Sequence, residues 1–293
     1  MVFKIGFLSF WEGGDINEFK ERAFFKPFRN SGVSYKECNP YNEECHIVFI
    51  CVFGYPDINR IKGNPILISF RTEPKNWFCF NEPLCKYRIG FEPDSEKSLY
   101  YPLWAIYLHD YYEKRNKSIS KDKFCSFIVT NPVNKERNNI FEYISRHYKQ
   151  VDSLGRFNNN VGFILPKGDF EYPSRYKFNI CFENTKSNKD YLYITEKMIW
   201  SYTYGSIPIY WGNCEIETYF NKDTFINCNN LSNQEIIDNI REIDNNQELY
   251  NEMVSLDPFK GNDYISYFSD KFMNFMKKIL MKEKELNIYD FTV

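Results

Sequence analysis

The chain has 293 residues, a length that allows two domains or one large one. Hydrophobic residues make up 43% and charged residues 26%, the balance of a soluble globular protein, which excludes an intrinsically disordered chain. Lys and Arg number 37 against 39 Asp and Glu, a formal net charge of -2, so no bulk field draws in nucleic acid and none is expected as a partner.

In chain order, Ile5 to Phe10, His46 to Phe53, Pro65 to Phe70 and Tyr87 to Phe91 read as strands, several of them apolar on both faces. Ile16 to Phe28 carries a helical apolar face between the first two. Residues 113–122 hold seven charged or amide side chains and one apolar one, the composition of a solvated connector. Beyond it the alternation restarts. Phe124 to Val129 reads as a strand, and Asn134 to His147 as a helix with Ile140, Tyr143, Ile144 and His147 on one side. A short strand ends at Gly155, and Phe178, Ile180 and Phe182 alternate in another. Thr195 to Tyr204 reads as a helix stopped by Gly205, followed by the strand Ile207 to Trp211, an extended stretch Thr224 to Asn227 and a helix Gln234 to Ile243. Two α/β units in series are the expected architecture.

The tail Ile265 to Leu280 places apolar residues at helical spacing, with Lys271, Lys277 and Lys278 on the polar side. Packing on its own protein is the expected role, and peripheral contact with an anionic membrane is the second reading. Residues 1–11 are too short for a span and lack a basic leader with a cleavage site, so neither a signal peptide nor a transmembrane segment is expected. The nine cysteines form no C-x-x-C pair and several lie in apolar runs, so buried reduced thiols and a cytoplasmic location are expected. Three scattered His give no zinc-helix spacing.

Chemistry concentrates in residues 176–212, which read as strand, polar loop, helix and strand. Thr195 is a suitable N-cap, with Glu196 and Lys197 in the first turn. A Lys there meets the like partial charge of the helix dipole, unless an anion such as a diphosphate binds at that end. In open α/β sheets ligands bind at the carboxyl ends of strands, where Glu183 and Asn184 fall.

Phe182-Glu183-Asn184, Tyr193-Ile194-Thr195-Glu196-Lys197 and Ile207-Pro208-Ile209-Tyr210-Trp211-Gly212 together resemble the donor-binding signature of the α1,3-fucosyltransferases, glycosyltransferase family 10. Phe127 to Arg137, Val151 to Gly155 and Phe220 to Asn227 extend the resemblance over about residues 124–230. It implies a GT-B type fold, with two Rossmann-like domains facing a central cleft. The expected division is an acceptor-binding domain over 1–118, a GDP-fucose-binding domain over 119–262, and a C-terminal helix over 263–293 packing back across the domains. It further implies an inverting enzyme that moves L-fucose from GDP-β-L-fucose to a GlcNAc-containing glycan, most commonly through an α1,3 linkage.

The implied donor residues are Arg137, Asn184, Tyr193, Glu196 and Lys197, with Arg137 and Lys197 on the diphosphate and Glu196 on a sugar hydroxyl or the developing positive charge. No metal and no cofactor besides the donor substrate is implied. Arg71-Thr72-Glu73-Pro74 resembles the family's E-S-P segment without its Ser, which makes Glu73 the candidate base and leaves Glu82 and Glu92 as rivals. Trp77 and Phe78 flank it as candidate acceptor platforms. Two other readings stay open: a catalytically inactive glycan-binding relative, and a related enzyme that uses another sugar nucleotide.

Overall fold

The computed structural model describes residues 2–12, 16–74, 84–115, 119–261 and 263–284. Trp77, Phe78 and Glu82 lie outside the described residues. The elements fall into two units: Met1–Ile106 with Asp190–Leu192 and Asp263–Val293, and Tyr107–Lys189 with Tyr193–Asn262. Each is built on an all-parallel sheet, as expected of a Rossmann-like unit.

The first unit begins with β1 (Phe3–Leu8). A helical segment follows, made of α1 (Ile16–Lys20), a π-helical turn over Glu21–Phe25 and α2 (Lys26–Asn30). Then come β2 (Tyr35–Cys38), β3 (Ile47–Ile50), β4 (Ile66–Phe70), β5 (Tyr87–Gly90) and β6 (Ser98–Tyr100), in the spatial order β2-β1-β3-β4-β5-β6. Strands covered on both faces must be apolar throughout, and Ile47, Val48, Phe49 and Ile50 are all fully buried. The edge strands β2 and β6 are short, and no apolar run announces them.

The division between the units falls within α3 (Leu103–Lys114). The second unit runs β7 (Lys123–Phe127), α4 (Lys135–His147), β8 (Asp152–Ser153), β9 (Tyr176–Ser187), α5 (Lys197–Thr203), β10 (Ile207–Asn213), β11 (Ile226–Asn227), α6 (Asn233–Asn245) and α7 (Gln247–Ser255). Its sheet order is β11-β10-β9-β7-β8. Ile140 and Ile144 of α4 and Ile236, Ile237 and Ile240 of α6 share one core with Phe127, Phe178, Ile180 and Ile209 of the sheet. Caps fix where these helices start. The Asn134 side chain accepts from the Arg137 N–H, and Ser232 with Glu235 closes a capping box on α6.

Two expectations need correction. The stretch 113–122 is not a solvated connector throughout: Glu113 and Lys114 finish α3, Arg115 donates to the Tyr111 hydroxyl and the Val254 carbonyl, and Lys121 donates to the carbonyls of Ser174 and Tyr204 at 2.6 Å each. Cys38 and Cys45 are not separate thiols but a disulfide. The apolar stripe of the last helix, α8 (Tyr264–Lys284), packs on its own protein, as expected. It buries Phe268, Phe272, Met273, Met276, Ile279 and Leu280 in the first unit, where Phe272 meets Phe24, Phe28 and Phe49. Lys271 on its polar side pairs with Asp94 at 2.6 Å. No described helix is long and apolar enough to cross a membrane.

Candidate active site

The second unit gathers its chemistry where β9 passes out of its regular pairing with β10. Phe182 pairs with Trp211, but the next pair is Ser187 with Asn213, so residues 183–186 bulge opposite Gly212 alone. Gly212 is required by close approach: a Cβ there would lie 2.5 Å from Glu183 Cγ and 2.8 Å from the Tyr210 hydroxyl.

Glu183 is 0% exposed, and a buried carboxylate persists only when paired and hydrogen-bonded. It accepts from the Thr195 N–H and hydroxyl at 2.8 Å each and from Lys197 Nζ at 3.1 Å. Burial pushes its carboxyl above the ordinary value, opposed by Lys197 and the Thr195 donors. This overturns the expected role of Thr195. It does not cap the helix: its Oγ1 accepts from Lys197 Nζ, and α5 starts at Lys197 with Glu196 at the N-cap position and no side-chain cap. The helix has seven residues.

Lys197 Nζ also donates to Thr195 Oγ1 at 2.9 Å and lies 3.9 Å from Glu196 Oε1. Burial pulls this ammonium down, but Glu183 and Glu196 outweigh it and the net shift is upward, so Lys197 stays charged. Its side chain remains 20% exposed.

Arg137, in the first turn of α4, is 3% exposed. Its Nη1 donates to Asn184 Oδ1 at 2.8 Å and its Nη2 to the Asn131 carbonyl at 2.7 Å, while its buried Nε has no hydrogen-bond partner. Burial pulls the guanidinium below its ordinary value, with Glu183 and Tyr193 opposing. Asn184 Nδ2 donates to the Tyr193 hydroxyl at 3.4 Å. Asn134 ties the pieces together: its amide donates to the carbonyls of Glu183 and Asn184 at 3.1 and 3.0 Å, clamping the start of α4 to the bulge of β9.

All five residues expected at the donor therefore lie in one unit. Arg137, Asn184 and Tyr193 form one hydrogen-bonded chain, and Lys197 and Glu196 form an ion pair joined to it through Glu183. The two cations sense each other, Arg137 opposing the charge on Lys197. Two neighbouring cations, one carrying an orphaned buried donor, suit a ligand with several anionic oxygens. Asn134 was given no place in the site from the sequence, and Glu183 a place at the strand end but no role. The available signal was an acidic residue closing the apolar run Ile180-Cys181-Phe182, since a strand end that buries a carboxylate needs a cation nearby.

Glu73 lies in the first unit, just past β4. The Arg71 N–H donates to the Ile89 carbonyl at 2.8 Å, and Arg71 Nε lies 2.8 Å from Glu92 Oε1. Among the described residues no group of three or more His, Cys, Asp or Glu is placed to hold a metal ion.

Residues 118–256 match the model of glycosyltransferase family 10 (fucosyltransferase) C-term. Over 166 residues, 55% of the chain, it is 34% identical to the alpha-(1,3)-fucosyltransferase FucT of Helicobacter pylori, and the match spans 34% of that protein's length. Two solved structures are similar over 95% of the chain. One, of an alpha1,3-fucosyltransferase, is 26% identical, with 89% of it covered and a TM-score of 0.75. The other, of alpha1,3-fucosyltransferase with GDP-fucose, is 24% identical, with 90% of it covered and a TM-score of 0.74. The bulge of β9, the α4 arginine and the Thr195-Glu196-Lys197 turn thus lie inside the segment that matches glycosyltransferase family 10, the fucosyltransferases.

Proposed function

We propose that the protein is an inverting fucosyltransferase that takes L-fucose from GDP-β-L-fucose and forms an α1,3 bond to a GlcNAc within a glycan. The observation that carries this reading is the buried Arg137, with an unpartnered Nε, beside Lys197 in the segment that matches family 10. In the reaction a carboxylate takes the proton of the acceptor hydroxyl, whose oxygen attacks the anomeric carbon of fucose. The bond from that carbon to the diphosphate oxygen breaks on the opposite face, giving an α-fucoside, GDP and the protonated base.

Glu73 is the base in this scheme. As the bond breaks, negative charge grows on the diphosphate and positive charge on the sugar. Arg137 and Lys197 offset the first from fixed positions that need no reorganisation. Glu196 faces the second or bonds a sugar hydroxyl, and Asn184 and Tyr193 orient the donor. The domain roles follow: residues 119–262 hold GDP-fucose, residues 1–118 present Glu73 and take the acceptor, and Trp77 and Phe78 offer rings to its sugar faces.

Incubating the purified protein with GDP-fucose, GDP-mannose and a UDP-sugar, each with a panel of Galβ1-4GlcNAc and N-glycan-core acceptors, tests this reading. Release of GDP from GDP-fucose alone, with an α1,3 linkage by NMR, is expected. Preference for another donor refutes the fucose assignment, and glycan binding without turnover refutes the enzyme.

A further inference from the structure

The backbone of Glu73 is held by a residue far away in sequence. Tyr191 lies in the segment between β9 and α5, yet groups with the first unit. Its hydroxyl donates to the Glu73 carbonyl oxygen at 2.8 Å. Its ring meets Phe91 edge-on at 5.7 Å, and the neighbouring Leu192 N–H donates to the Phe91 carbonyl at 2.8 Å. Glu73 precedes Pro74, which confines it to extended backbone and has no N–H of its own to anchor the turn. On the β4 side the chain is fixed at Arg71, by Ile89 and by Glu92. The opposite end of the Glu73 residue is fixed by Tyr191.

We infer that Tyr191 is a positioning residue for Glu73: by holding the carbonyl it sets the peptide plane from which the carboxylate is presented to the acceptor hydroxyl. The inference rests on the reading of Glu73 as base. Proton transfer needs the carboxylate oxygen about 2.6–3.2 Å from the hydroxyl, and a displacement of about 1 Å can cost on the order of 10²-fold in rate. Tyr191 acts through Glu73 and not on the substrate.

Tyr191→Phe tests this, since it keeps the ring on Phe91 and removes only the hydroxyl. In fucose transfer from GDP-fucose, kcat is expected to fall about tenfold, with the donor KM and the GDP Kd within about twofold and the melting temperature within about 2 °C of the parent. The variant is then combined with Glu73→Gln and residual turnover is measured over long incubations. A positioning role makes Tyr191→Phe silent in that background. Parental kcat in Tyr191→Phe, or the same fractional loss with and without Glu73, overturns the inference alone. No transfer by the parent, or full transfer by Glu73→Gln, overturns the reading beneath it as well.

Discussion

Arg137→Met gives the sharpest separation of structure from function at the proposed donor site. Methionine keeps much of the buried aliphatic volume and removes every donor. The variant loses two hydrogen bonds, of 2.8 Å to Asn184 and 2.7 Å to the Asn131 carbonyl. Leaving two acceptors unpaired costs about 1–3 kcal/mol each, but removing a cation whose burial is unfavourable offsets part of it. A net loss of roughly 1–2 kcal/mol in the stability of the second unit follows. The effect on ligand is larger. A charge-assisted hydrogen bond contributes about 1.5–3 kcal/mol, so removing a guanidinium that grips a diphosphate weakens GDP by roughly 10- to 150-fold. Calorimetry with GDP and with guanosine reads both terms in one protein. Guanosine affinity is expected to stay within about twofold, because the base and ribose do not involve Arg137. Equal GDP affinity in parent and variant refutes a phosphate role for Arg137, and an equal loss for guanosine shows that the pocket as a whole was distorted.

Gly212→Ala would drive a Cβ to 2.5 Å from Glu183 Cγ, and overpacking of this kind costs about 1–3 kcal/mol; a lower melting temperature together with weaker GDP binding is expected, and a parental melt refutes the packing argument. Asp244 is only 4% exposed and accepts from Lys149, Lys177 and the Tyr148 hydroxyl. Burial raises its carboxyl, but these donors outweigh burial and hold it below the ordinary carboxylate value. Its contribution to stability is therefore present above the unfolded value of about 3.9 and is lost as pH falls through the lower folded value. Denaturation curves should show Asp244→Asn about 2–3 kcal/mol less stable at pH 7, with the gap closing below about pH 4; a gap independent of pH contradicts the assignment.

Much of the second unit was legible in the sequence because its signals are local. The helix 134–147 has an Asn cap and one apolar side, and the strands around Ile180 and Ile209 are continuous apolar runs. What escaped was set by partners distant in sequence. Thr195 reads as a cap by its position before a helix, yet Glu183, twelve residues earlier, takes both of its donors. The stretch 103–114 is apolar on most sides, so it shows no helical face, and β2 and β6 are edge strands of four and three residues. The stripe on α8 was expected to pack on its own protein, but the sequence did not name its partners, which are Phe24, Phe28 and Phe49. Spacing gave no sign that Cys38 and Cys45 would be joined. For the site, the motif singled out Arg137, Asn184, Tyr193, Glu196 and Lys197 individually and contained Glu183 without giving it a role, but it did not show the Asn134 clamp.

The most direct test of the account is the initial rate of fucose transfer from GDP-fucose by Glu73→Gln measured beside the parent. The account predicts an α-fucoside from the parent and a rate lower by about 10²- to 10⁴-fold in the variant. Transfer by the variant at the parental rate, or no transfer by the parent with any acceptor, contradicts it.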